Sequence, residues 1–151
     1  MDIMPFKISH DAVDPVGFCI YYKDKKISCL TDCGFVNDDI IKHIKNSDIY
    51  HLESNHNEYM LENGTYPYRL KKRVLSVKGH LSNKDASVVL SKVLNGGEQV
   101  VLAHLSDTNN TEQIAYAEVC NFLKTRGINP LKDIKIDIAK KEKITREFIV
   151  K

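Results

Sequence analysis

The segment at positions 99–105, Gln-Val-Val-Leu-Ala-His-Leu, is an almost unbroken apolar run carrying a histidine near its end. A run of strand length that does not alternate predicts a β-strand covered on both faces, as found between parallel neighbours. Before it, Asn83 is the predicted cap of a helix that puts Ala86, Val89, Leu90, Val93 and Leu94 on one face, with Gly96-Gly97 as the stop. After it, Thr111 and Glu112 open a longer helix through Lys124, with Ile114, Ala117, Val119, Phe122 and Leu123 mostly turned inward and Gly127 past its end. A buried strand between two amphipathic helices predicts a layered α/β arrangement.

The same alternation extends outward. Residues 3–9, 16–22 and 26–31 are β-rich, and the polar turn Lys23-Asp24-Lys25 makes a hairpin of the last two. Residues 35–45 set Ile40, Ile41 and Ile44 on a helical stripe, with Asn37 as cap. Residues 49–53 form a brief strand, and 54–63 a polar loop running into a short helix that Gly64 ends. Pro67 starts a basic helical stretch reaching about Leu75, and 134–138 and 148–150 are predicted terminal strands. There is no internal repeat and no low-complexity tract.

With 42% hydrophobic and 28% charged residues in a chain of 151, the composition excludes a disordered or fibrous protein. Twenty-two Lys and Arg against 20 acidic residues neither demand nor exclude a nucleic-acid partner. Charge is most concentrated at Arg69, Lys71, Lys72 and Arg73, which is either a solvated helix face or a set of phosphate contacts. The four cysteines form no CxxC pair and are read as reduced core thiols. No apolar stretch is long enough to span a membrane and no signal-peptide pattern is present, so the expected compartment is the cytoplasm.

Four side chains fall at predicted strand ends or just beyond: His10, Asp32, Glu53 and His104. Strand ends of an α/β sheet converge on one edge, where ligands usually bind. Two imidazoles and a carboxylate arriving from separate strands suit zinc or manganese, although each residue alone is as readily a hydrogen-bonded structural group.

The local motifs are more specific. In order, they are Ser9-His10-Asp11-Ala12, Thr31-Asp32-Cys33-Gly34, Leu52-Glu53-Ser54-Asn55-His56, Gly79-His80-Leu81-Ser82-Asn83, and Leu102-Ala103-His104-Leu105-Ser106 followed by Asn109-Asn110. In order and spacing they resemble the YycJ/WalJ-like branch of the metallo-β-lactamase-fold nucleases, and more distantly tRNase Z and the RNase J group. The resemblance spans about residues 5–128. It implies an α/β fold that is the C-terminal half of the αββα metallo-β-lactamase sandwich, a mixed sheet with covering helices. It also implies that His10 completes a first metal site, that Asp32 bridges two ions, and that His104 belongs to the second. By the same resemblance His80 protonates the leaving oxygen or holds the scissile phosphate, and Glu53 orients it. His56, Asp11, Asn109 and Asn110 are near-site candidates.

The implied activity is hydrolysis of phosphodiester bonds in DNA or RNA, with two divalent ions, zinc or manganese, in the complete enzyme. The family's HxHxDH run is absent from residues 1–151, which are therefore expected to be a single partial domain. His10, Asp32 and His104 would give each ion only about two protein ligands, so this chain alone is expected to hold metal weakly or not at all and to be inactive. Its uncovered sheet face is expected to pair with the missing N-terminal half or with a second copy. The alternatives are a non-catalytic interaction domain, a subunit of a split enzyme, and a small-molecule metallohydrolase.

Overall fold

A computed structural model describes residues 1–150 as one six-stranded sheet in the order β1-β2-β3-β4-β5-β6. The strands are β1 (Asp2–Lys7), β2 (Val16–Tyr22), β3 (Lys25–Leu30), β4 (Ile49–Glu53), β5 (Gln99–Ala103) and β6 (Lys135–Ile138). The first three are antiparallel, whereas β3, β4, β5 and β6 are mutually parallel. Helix α1 (Asp38–Ile44) connects β3 to β4. Helices α2 (Glu58–Asn63), α3 (Tyr68–Val74) and α4 (Asn83–Val93) connect β4 to β5, and α5 (Glu112–Thr125) connects β5 to β6.

Three successive parallel crossovers advance across the sheet in one direction. Right-handed crossovers of that kind put every connecting helix on the same face. Accordingly α1 packs on α4 and α4 on α5. The core lies between them and the inward side chains Phe6, Cys19, Leu30, Leu52, Val100 and Leu102. Tyr50 closes its lower end, donating its hydroxyl to the Val93 carbonyl. Burial pushes that hydroxyl up to about 12, so it stays a donor.

Among the described residues no helix covers the other face. Its β5–β6 portion is crossed by residues 139–150, where Gln99 donates to the Ile149 carbonyl and Arg146 pairs with Asp137. Over β1–β4 it carries Ile3, Phe18, Ile20, Ile27 and Cys29, with Ile3 55% and Phe18 39% exposed. The predicted strand at 148–150 is not formed. That segment lies against the sheet face rather than along an edge, where ladder partners would be found.

Two helix boundaries also differ from expectation. Ser82, not Asn83, caps α4, because Ser82 and Asp85 form a reciprocal capping box. The helix ends at Val93 before reaching Gly96-Gly97. Asn37 caps helix α1 as expected, accepting from Ile40, so the helix proper runs from Asp38. All four cysteines are free thiols. Among the described residues no helix is long and apolar enough to cross a membrane.

Candidate metal centre

Strands β1, β3, β4 and β5 share one direction, so their carboxyl ends meet at one edge of the sheet. Glu53 is the last residue of β4, His104 follows β5, and Asp32 and His10 lie in the turns just past β3 and β1. His10 is therefore not at the end of its strand, as the sequence suggested, but in the loop that folds back over the edge. Asp32 and His104 have φ of 55° and 56°, two of four non-glycine residues in the left-handed region. Such backbone is unfavourable for a side-chain-bearing residue and persists only where the surroundings enforce it. At His104 the enforcing group is Asn55, whose amide donates to the His104 carbonyl at 2.8 Å. Asn110 in turn donates to the carbonyls of Ser54 and Asn55.

His80 arrives from the turn between α3 and α4. That turn interlocks backbone to backbone with the one carrying Asp32. A Cβ on Gly79 would fall inside contact distance of the Val74 and Arg73 carbonyl oxygens, and one on Gly34 would collide with the Gly79 nitrogen. Gly79→Ala is therefore expected to cost about 1–3 kcal/mol in urea unfolding and to misplace both His10 and His80. An unchanged unfolding midpoint would mean that the turn can move off the end of α3 to admit the methyl group.

Asp32 Oδ1 lies 3.6 Å from His104 Nε2, 3.7 Å from His10 Nε2 and 3.8 Å from His80 Nδ1. His10 Nδ1 donates to the Gly79 carbonyl at 3.1 Å. His80 Nδ1 and His104 Nδ1 both donate to Glu53 Oε1, each at 2.7 Å. The opposite oxygen, Oε2, accepts the backbone N–H groups of Cys33 at 2.9 Å and Leu81 at 3.3 Å. Glu53 is wholly buried. Burial alone would raise its carboxyl, but the hydrogen bonds from His104, His80 and Cys33 outweigh it and hold the group below the ordinary carboxylate range. Its hydrogen bond raises His104 in return.

Donors on one zinc at bond lengths of 2.0–2.2 Å sit about 3.3–3.6 Å apart. His10 Nε2 and His104 Nε2 each come close to that spacing from Asp32 Oδ1, and all three are the donor types the ion takes. Asp32, Glu53, His80 and His104 also form a group whose ligand atoms lie within 4.8 Å of one another. Within it Glu53 is the poor ligand, because four N–H donors already occupy its two oxygens.

The other candidates are placed less uniformly. Asp11 sits 3.5 Å from His10 Nε2 and pairs with Arg73 at 2.5 and 3.0 Å; that hydrogen bond lowers the Asp11 carboxyl to about 2. Arg69, Lys71, Lys72 and Arg73 do not act as one patch. Lys71 donates to the Glu62 carbonyl, Lys72 lies over the Tyr68 ring, and of the four only Arg73 lines the cleft. His56 is buried, does not line the cleft, and has no partner for either ring nitrogen. Asn109 is buried too; its backbone carbonyl accepts from the Asn57 backbone N–H.

The cleft itself is about 890 Å³ and opens from His80 and His104. Its walls include Tyr66, Leu70, Thr108, Lys140 and Lys141, none of which was singled out from the sequence. His51, two residues before Glu53 on the same sheet face, also reaches it. Alternation from Glu53 would have pointed to His51; Lys140 and Lys141 had no signal, since they depend on the path of the chain after β6.

A sheet with helices on one face and imidazoles and carboxylates gathered at its carboxyl edge is half of a metallo-β-lactamase fold. Two solved structures align accordingly. The metallo-β-lactamase fold protein YhfI from Bacillus subtilis matches with a TM-score of 0.60 and 19% identity, over 91% of this chain and 46% of that one. Zinc-bound PqqB from Methylobacterium extorquens gives 0.57 and 18%, over 89% and 48%. No protein-family profile matches the chain. The chain is homologous to the WalJ/YycJ exodeoxyribonucleases. It is 37% identical over 137 residues to exodeoxyribonuclease WalJ of Streptococcus pneumoniae, which covers 90% of this chain and 51% of the relative. It is 34% identical over 128 residues to exodeoxyribonuclease YycJ of Bacillus anthracis, or 84% of this chain and 48% of that protein. The chain thus spans about half the length of the curated relatives it matches.

Proposed function

We propose that the chain contributes one half of a divalent-metal-dependent hydrolase of phosphodiester bonds, with DNA as substrate. The observation carrying this reading is the convergence of His10 Nε2 and His104 Nε2 on Asp32 Oδ1, with His80 beside them. In this reading His10, Asp32 and His104 would hold the divalent metal, which would supply an acidified water as nucleophile and neutralise charge on a phosphoryl oxygen.

The chain's own residues do the rest. Glu53 accepts a hydrogen bond from His80 Nδ1–H, which leaves Nε2 to face the cleft; in the imidazolium form of the ring, Nε2–H gives its proton to the departing oxygen and the ring returns to the neutral Nδ1–H form. Arg73, Lys140 and Lys141 stand along the cleft, where phosphates of the strand would pass. Each is also paired with a carboxylate: Arg73 with Asp11, Lys140 with Glu112, Lys141 with Asp107. Phosphate binding must therefore compete with these pairs.

Three protein donors are too few for two ions, so full metal loading and activity require the ligands of a complementary half. The test combines this chain with that half from a complete WalJ-type relative, adds manganese or zinc, and follows release of nucleotides from DNA. Metal-loaded complexes that leave DNA intact would defeat the proposal.

The bare β1–β4 sheet face belongs to the same reading. Sheet faces carrying residues such as Ile3, Phe18 and Ile27 are rarely left open to water, and a second layer is expected to cover them. For the chain alone that layer is a second copy. Sedimentation at rising concentration is expected to show dimers, and Phe18→Glu with Ile27→Glu to return the chain to monomers. A clean monomer at high concentration would argue against it.

A further inference from the structure

Glu53 has two imidazole partners, and only the one to His80 is used in the function proposed above. The geometry points to Glu53 as a positioning residue for the metal-facing His104 as well: one buried carboxylate oxygen locks both rings with their proton on Nδ1. The inference deepens the proposed function and depends on it only for the meaning of the lone pairs that result.

The argument is steric and electrostatic. At 2.7 Å from a carboxylate oxygen, a ring Nδ1 carrying a lone pair would face another lone pair, so each ring must present an N–H there. That holds whether the ring is neutral or cationic. In a neutral ring the proton on Nδ1 leaves the Nε2 lone pair free, and His104 Nε2 is the atom turned toward Asp32. The tautomer of an imidazole is set by the bond its other nitrogen makes.

Glu53 cannot swing away from this duty. Its second oxygen is tied to the N–H groups of Cys33 and Leu81, one in the turn that carries Asp32 and the other in the chain just after His80. A single side chain therefore braces both turns through one oxygen and both rings through the other. The rings of His80 and His104 lie 5.2 Å apart, centroid to centroid, as two donors to one atom require. Glutamine would not substitute well. With its oxygen toward the imidazoles, its NH₂ would meet two backbone N–H donors; reversed, it would meet two ring donors.

The experiment is long-range ¹H–¹⁵N correlation of the histidine rings in the metal-free chain, on wild type, Glu53→Gln and His80→Ala. Neutral histidine in water favours the proton on Nε2, so a locked Nδ1–H form is a distinctive signature. Wild type should show it at both His80 and His104. His80→Ala should leave it intact at His104, because Glu53 still accepts there, whereas Glu53→Gln should lose it at both rings. Zinc titrated into Glu53→Gln combined with the complementary half should bind about 10–100-fold more weakly than to wild type combined with the same half.

A wild-type His104 in the Nε2–H form, or a Glu53→Gln chain with His104 unchanged, overturns the inference. The wild-type spectrum decides even if Glu53→Gln does not fold. Both rings in the Nδ1–H form, with no zinc uptake even by wild type combined with the complementary half, would sink the metal reading and leave the tautomer lock standing.

Discussion

Replacing His80 by alanine, in an enzyme assembled from this chain and a complementary half, is expected to lower DNA cleavage by about 10²- to 10⁴-fold, the usual worth of a positioned general acid. The loss should fall on kcat, with KM and bound metal nearly unchanged. His80 Nδ1 is committed to Glu53, so on the proposed reading its working atom is Nε2, and the substitution would deprive the departing oxygen of its proton. Glu53 would still hold His104, so the metal-facing ring should stay in place. A nitrophenyl phosphodiester provides the check, because its leaving group departs without protonation. The variant should retain far more activity on it than on DNA, and equal losses on both would refute the acid role.

The second expectation concerns stability. His56 is 1% exposed, and burial lowers its ring from the ordinary 6.5 to about 4, against the opposing pull of Asp85, Glu53 and Glu118. Below pH 6.5 the unfolded chain takes up a proton at this ring that the folded chain refuses until pH 4. The unfolded state thus binds more protons in that window, and stability falls as pH falls through it. A gap of about 2.5 units corresponds to about 3 kcal/mol, lost progressively from pH 6.5 to 4. His51, also lowered by burial, acts in the same direction.

Urea unfolding at pH 7 and pH 4.5 measures the effect, with His56→Phe isolating it. Neither nitrogen of the His56 ring has a partner, so an apolar ring should cost little at pH 7 while removing most of this slope. Identical slopes in both proteins would show that His56 is not the group responsible.

The parts of the fold legible in the sequence are those governed by local chemistry. The apolar run at 99–105, the strand ending on Glu53 and the Thr111 cap all appear where pattern and capping place them. Ser82 was passed over because two good capping residues stand side by side, and only the Asp85 reciprocal bond distinguishes them. The side chains that gather at one sheet edge were legible as a set of candidates, since the motifs lie just past the strands. Their connections were not. That Glu53 serves His104 depends on the left-handed backbone at 104, a property of the folded turn and not of the residue. Likewise the basic run at 69–73 looks like a patch when written in a line, but a helix distributes it around its circumference.

Asp32, Glu53, His80 and His104 are drawn from segments that come together only when β3, β4 and β5 stand in register and the turn after α3 has seated. Their union is made of contacts remote in sequence, which pay their loop-closure entropy first and form slowly. The Nδ1 proton of His104 is then a clock for refolding: its signal should emerge with the last kinetic phase, after the helices have already acquired their circular dichroism.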